Sequence, residues 1–209
     1  SFSFVFVTTT LIAQIGGEST FAILDFSTSA RTIAMGGELM AVYDNDVNLV
    51  SSNPALLNVK MNRQISFSFV DYFSDINAVS VNYATNSKKL GMIFFGAKAL
   101  NYGSFPKTDE TGVEVGEFTA NEQIITAGIS KILNERFTIG IDLNVINSRL
   151  EQYSSFALGS NLGLTYYHDE KDLCISLLAK DFGRQLEYYT KTKEKLPFQL
   201  KMGISKKLV

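Results

Sequence analysis

The feature that most narrows what this chain can become is a two-residue rhythm that returns from Ile65 to the end of the sequence. Its clearest stretch is Phe137-Thr138-Ile139-Gly140-Ile141-Asp142-Leu143-Asn144-Val145. Neighbouring side chains of a β-strand point to opposite faces, so the five apolar residues share one face and Thr138, Gly140, Asp142 and Asn144 the other. Val79, Val81 and Tyr83 oppose Ser80 and Asn82 in the same way; Ile125, Ala127 and Ile129 oppose Thr126, Gly128 and Ser130. Leu158, Leu162 and Leu164 then oppose Gly159, Asn161, Gly163 and Thr165, and Phe198, Leu200, Met202 and Ile204 oppose Gln199, Lys201, Gly203 and Ser205. A soluble β-sandwich satisfies such a pattern, and so does a transmembrane β-barrel with lipid outside and a polar interior.

The make-up of the polar face separates the two. The exposed face of a soluble sheet is usually rich in Lys, Glu and Arg, which keep it soluble and guard its edges. Here that face is mostly Ser, Thr, Asn and Gly, small residues that suit a crowded interior, so a soluble sandwich adhesin is disfavoured. Charged residues make up 19% of the 209, below the roughly 25% of soluble proteins. No unbroken apolar run approaches the roughly 20 residues of a membrane helix, which excludes a helical membrane protein. Tyr72-Phe73, Tyr83, Tyr102, Tyr153, Tyr166-Tyr167 and Tyr188-Tyr189 gather toward the predicted strand ends, where tyrosine suits a lipid–water boundary.

The alternation predicts eight strands, at about 63–72, 76–84, 89–101, 119–132, 136–148, 154–167, 172–182 and 196–206. Asn86-Ser87-Lys88-Lys89, Leu133-Asn134-Glu135-Arg136 and His168-Asp169-Glu170-Lys171 read as short turns, and 103–118 and 183–195 as longer, charge-rich connections. Short connections at one end and long ones at the other are a barrel trait. Pro54, Pro106 and Pro197 are expected outside strand interiors. Ile93, Phe95, Ile146 and Leu178 are read as apolar exceptions on the inward face, packing against the N-terminal segment or lining a small pocket.

Three parts follow: a partial signal peptide at 1–13, an N-terminal plug at 14–62 and a strand region at 63–209. Ser1 to Ala13 is an apolar run of signal-peptide length ending in a small residue, which points to export. From Gly16 to Leu57 the alternation is absent and small residues accumulate. Ser29 is placed to cap a short helix from Thr32 to Met35, with Gly36 or Gly37 ending it by taking positive φ. About forty residues of this composition bury too little to fold alone, so the segment must lean on the strands. Arg31, among small residues, either ties plug to wall through its several donors or stands exposed to water.

Chemistry is sparse. The single histidine, His168, has no second histidine for a metal site, and Cys174 has no base at a telling spacing; it reads as a buried, inert thiol. Asp44-Asn45-Asp46-Val47-Asn48 begins like a calcium loop, but Leu49 and Ala55 stand where glycine and glutamate are required, leaving a turn of Asx hydrogen bonds. Phosphate-loop, nucleophile-elbow and zinc-protease motifs are missing, so neither an enzyme nor a cofactor is expected. A net charge of -2 with scattered Lys and Arg gives no reason to expect a nucleic-acid partner.

Gly16-Gly-Glu-Ser-Thr-Phe21, Ser27-Thr-Ser-Ala-Arg31, Met35-Gly-Gly37, Val42-Tyr-Asp-Asn-Asp46 and Asn53-Pro-Ala-Leu-Leu57, in that order, resemble the N-terminal region of the PorV/PorQ proteins of the Bacteroidota, most of all the PorQ branch. More distantly they are similar to the hatch of FadL-type outer-membrane transporters. The resemblance implies an antiparallel transmembrane β-barrel of FadL-like type, of roughly fourteen strands, with an N-terminal hatch inside. It carries over onto Ser29, Arg31, Gly36, Gly37, Asp44, Asp46, Asn53, Pro54 and Ala55 as structural hatch residues. It also implies an outer-membrane location in a Gram-negative bacterium and a place in the type IX protein secretion system, with other secretion or surface-attachment components, cargo proteins and outer-membrane lipid as partners. Passage of hydrophobic small molecules, as in FadL, is the alternative. Eight strands cannot enclose a forty-residue hatch, so the expected form is an incomplete barrel: an open sheet around the hatch with an unpaired edge.

Overall fold

A computed structural model describes residues 21–189 and 194–207; the signal-like run Ser1 to Ala13 and the Gly16 to Thr20 part of the first motif lie outside the described residues. The alternating segments form β1 (Gln64–Asp71), β2 (Asn77–Ser87), β3 (Gly91–Thr108), β4 (Glu114–Ile132), β5 (Phe137–Leu150), β6 (Tyr153–His168), β7 (Leu173–Glu187) and β8 (Gln199–Lys206). They make one antiparallel sheet in the order β1-β2-β3-β4-β5-β6-β7-β8. Among the described residues β1 and β8 each pair on one side only, so the sheet is open and not closed into a barrel.

Several strands are longer than the alternation predicts. The segment 103–118, read from sequence as a connection, is mostly the continuation of β3 and β4, which pair to Thr108↔Glu114 beyond an irregularity between Asn101 and Ser104. Both faces of this hairpin are exposed, so no apolar rhythm marks it. Pro106 therefore lies within β3, against expectation. It sits past Asn101, where β3 has lost β2, keeps only β4 and is an edge strand, the position in a sheet that tolerates proline. Likewise β7 runs on to Glu187 through the expected 183–195 connection.

Residues 21–62 cross the inward face of the sheet in short pieces: α1 (Ala30–Ala34) and four single 3-10 turns. Ser29 caps α1, its Oγ accepting from the Thr32 N–H at 3.3 Å, and Gly36 and Gly37 follow with φ of +102° and +96°. Three apolar clusters join segment to sheet. Phe21 and Ile23 pack with Leu100, Ile124, Ile146 and Leu196; Val47, Val50, Leu57 and Met61 with Met92 and Phe94; Leu49 and Leu56 with Cys174.

Candidate functional site

The two faces of the sheet differ in what they ask of their surroundings. Outward, Ile65, Phe67, Val81, Tyr83, Phe95, Ile125, Leu143, Leu158, Leu177, Phe182, Leu200 and Met202 are exposed, Ile65 at 72% and Leu200 at 77%. The strand register sets a border to this apolar field. Asp71, Asn77, Asn101, Asn121, Arg149 and Ser154 are successive cross-strand partners from β1 to β6, one polar row across six strands. On β5 the outward apolar residues run from Phe137 to Val145, and Asn147 and Arg149 follow. Nine residues at about 3.3 Å each span about 30 Å along the strand, close to the 9–11 residues of a transmembrane strand.

Aromatic residues divide between the faces. Tyr72, Phe73, Tyr153 and Tyr188 are exposed near strand ends, and Tyr166 packs on Phe137 at 5.1 Å between ring centroids. Three expected boundary tyrosines turn inward instead, because partners await them there. Tyr102 donates to Glu122 Oε2 at 3.0 Å, Tyr167 stacks on Tyr43 at 4.3 Å, and Tyr189 packs near Phe21 and bonds Ser148. Tyr83 sits mid-strand, outward, beside Ile65 and Phe95. Of the four residues read as inward apolar exceptions, Ile146 and Leu178 are buried inward, but Ile93 and Phe95 face out and Met92 and Phe94 face in. Met92-Ile93-Phe94-Phe95 is apolar in both phases, so only its pairing with β2 and β4 decides which residues point where.

Inward, the motif residues form two groups. Asn53, fully buried, donates through Nδ2 to the Met40 carbonyl at 2.9 Å and to Thr165 Oγ1 at 3.4 Å, and accepts the Ala55 N–H on Oδ1 at 2.9 Å. Asn53-Pro54-Ala55 lies against Gly140 and Gly163, cross-strand partners on β5 and β6. A Cβ on Gly140 would run into the Pro54 carbonyl and Ala55 nitrogen, and one on Gly163 into Asn53 Oδ1. The neighbouring Ser130 donates to the Leu57 carbonyl at 2.6 Å.

Arg31 belongs to the second group: it does not reach the wall and remains exposed, the other of its two expected placements. Its guanidinium pairs with Asp44 at 2.6 Å and Asp46 at 3.4 Å, both in its own segment. The Asp44 hydrogen bond raises the Arg31 pKa further above its ordinary value. The acidic turn makes the Asx bonds its sequence predicts: the Asp46 N–H to Asp44 Oδ1 at 2.9 Å and the Asn48 N–H to Asp46 Oδ1 at 3.0 Å. Asn48 makes the wall contact, its Oδ1 accepting from Ser66 Oγ at 2.7 Å and Asn82 Nδ2 at 3.0 Å. His168 ends β6 near the Tyr166 ring rather than standing free in the turn.

Between these contacts lies a cavity of about 270 Å³ whose lining includes Asp25, Glu38, Lys98, Asp142, Lys180 and Asp181. From sequence the lumen is expected to be small and uncharged, and this charged cluster departs from that expectation. Its origin is a β-bulge. Ser160↔Phe182 and Leu162↔Ala179 are in register, so Lys180 and Asp181 together oppose Asn161, and both are buried inward. The break in alternation at Ala179-Lys180-Asp181-Phe182 was the available signal. Lys98 donates to the Phe26 carbonyl at 2.7 Å and Lys180 to Asp25 Oδ1 at 2.7 Å. Glu122, outside the cavity, gathers the Ile23 N–H at 2.8 Å, the Tyr102 hydroxyl and the Ser148 hydroxyl.

The fold and its two faces define an all-β, single-sheet protein, apolar on one side and covered by its own chain on the other. No protein-family model matches this chain, and no curated protein matches it either.

Proposed function

We propose that this chain supplies wall and hatch of an outer-membrane β-barrel that serves the type IX protein secretion system, binding secretion or surface-attachment components. The observation that carries this reading is the outward apolar field, edged by an in-register polar row. Water penalises such a surface at about 25 cal/mol per Å², whereas lipid accepts it. The ordered motifs resembling the PorV/PorQ proteins supply the secretion part of the reading. In this reading the free edges of β1 and β8 pair with further strands to close the barrel around residues 21–62, since eight strands leave too little room.

FadL-like transport of hydrophobic molecules finds less support, because charged side chains such as Lys98, Asp142, Lys180 and Asp181 share the lining of the interior cavity with its apolar residues. Affinity purification of the full-length protein from outer membranes tests the choice. Co-purification of secretion and attachment proteins is the expected result. Recovery alone, with bound lipid, would favour transport, and recovery from the soluble fraction would sink the membrane reading itself.

A further inference from the structure

We infer that residues 24–38 form a strap over the interior cavity, latched by charge, which swings open and lets water and small polar solutes reach the wall beneath while residues 49–57 stay seated. This does not rest on the secretion reading: it follows from how the strap is held.

Apolar packing anchors the strap only at its ends. Phe21 and Ile23 are buried before it, and Leu39 and Ala41 after it. In between, no apolar side chain is buried: Leu24 and Phe26 are half-covered, and Ile33 and Met35 are exposed. Gly36 and Gly37 stand in open space, where an added Cβ would meet nothing within 4 Å. Asp25, Thr28 and Glu38 line the cavity from the strap, and Ser80, Lys98 and Lys180 line it from the sheet. What spans the gap is polar. Asp25 pairs with Lys180 at 2.7 Å and Glu38 with Lys201 at 2.5 Å, Lys98 donates to the Phe26 carbonyl, and the Thr28 hydroxyl lies 2.6 Å from that of Ser80. The Asp25 side chain is 48% exposed and that of Glu38 30%, so dissolved ions reach both pairs and screen them. Asn53-Pro54-Ala55, by contrast, is held by burial and neutral hydrogen bonds, which salt does not screen.

The closed strap is also incompletely satisfied. Among the described residues three buried side-chain oxygens have no hydrogen-bond partner: Thr32 Oγ1 and Glu38 Oε1 on the strap, and Asp181 Oδ2 in the cavity wall beneath it. Lys180 balances the charge of the two carboxylates from 3.8 and 4.0 Å, beyond hydrogen-bond reach. Closure therefore withholds water from three acceptors that the protein does not otherwise serve, and opening returns it. A stretch with few buried apolar contacts between two firm anchors is the kind of segment that opens locally while its surroundings stay folded.

Ser80→Cys places a thiol under the strap, at a buried position of the wall. The native Cys174, buried against Leu49 and Leu56, reports on the seated part of the same segment. Both thiols are alkylated with iodoacetamide, a small neutral reagent, in the full-length protein at one pH and at about 0.1 M and about 1 M sodium chloride. Peptide mass spectrometry reads the two rates. The thiol introduced by Ser80→Cys is expected to react at least about fivefold faster in high salt, while Cys174 stays slow throughout. Asp25→Asn and Glu38→Gln, each removing one charge from a partly exposed strap residue, should reproduce that rise in low salt. If Ser80→Cys fails to fold, Thr126→Cys on β4, also in the cavity lining, takes its place. A rate that ignores both salt and the two variants overturns the proposal. So does fast alkylation already in low salt, or a parallel rise at Cys174, which would mean that the whole segment loosens together.

Discussion

Two regions of the same interior solve opposite problems. At the Asn53-Pro54-Ala55 seat the wall removes volume: Gly140 and Gly163 let the segment approach the strands closely, and the bonds of Asn53 hold it there. At the Lys180–Asp181 bulge the wall adds side chains, and a cavity stays open between partly paired charges. What separates a sealed joint from an open chamber is the strand register, which sets glycine opposite glycine in one place and two residues opposite one in the other.

That contrast breaks first at the seat. Gly140→Val should cost about 3 kcal/mol or more, since overpacking a filled site leaves neither the Pro54 carbonyl nor the strand anywhere to move. Chemical denaturation measures it, with Gly112→Ala as control, where φ is +83° in open space and the strain is about 1 kcal/mol. Equal losses at the two positions would mean that the seat is not close-packed. Asn53→Ala follows, expected to destabilise the joint by about 2–3 kcal/mol by stripping partners from the buried Ala55 N–H and Met40 carbonyl. Limited proteolysis within 21–62 should speed up while membrane insertion persists; failed insertion would show that the wall needs the segment to form.

Near the cavity, Glu122→Gln should cost about 1–2 kcal/mol, because an amide cannot accept from Ile23, Tyr102 and Ser148 together. Thermal unfolding reads this, and a neutral outcome would place the Glu122 contacts among the loosely held ones. Arg31→Ala comes last, at no more than about 1 kcal/mol and less in high salt, because its ion pairs with Asp44 and Asp46 are partly exposed. A larger loss would mean that Arg31 holds more than its own segment together.

The strands were legible because a sheet with one apolar face and one covered face writes period two into its sequence, as Phe137 to Val145 do. The Ser29 cap and the Gly36-Gly37 stop were legible because they are local chemistry. The β3–β4 hairpin beyond Asn101 was not: with water on both sides, neither face needs an apolar residue. Arg31 was open between wall and water for a related reason, since its donors announce that it will pair but not with which carboxylates. The charged cavity was hidden more deeply. Lys98, Asp142 and Lys180 each read as one polar residue in a polar phase, and only register gathers them.

The segment that covers the sheet also sets a sequence of events. Each strand pairs with its neighbour in the chain, so the sheet can zip up hairpin by hairpin as it is made. Residues 21–62 are synthesised before any of it, yet Ala41 accepts a hydrogen bond from Ser205 and Glu38 pairs with Lys201, both on β8. The part of the molecule made early must therefore wait, unsatisfied, for the last described strand. Until β8 arrives, a short, half-apolar segment stays uncovered and open to wrong contacts.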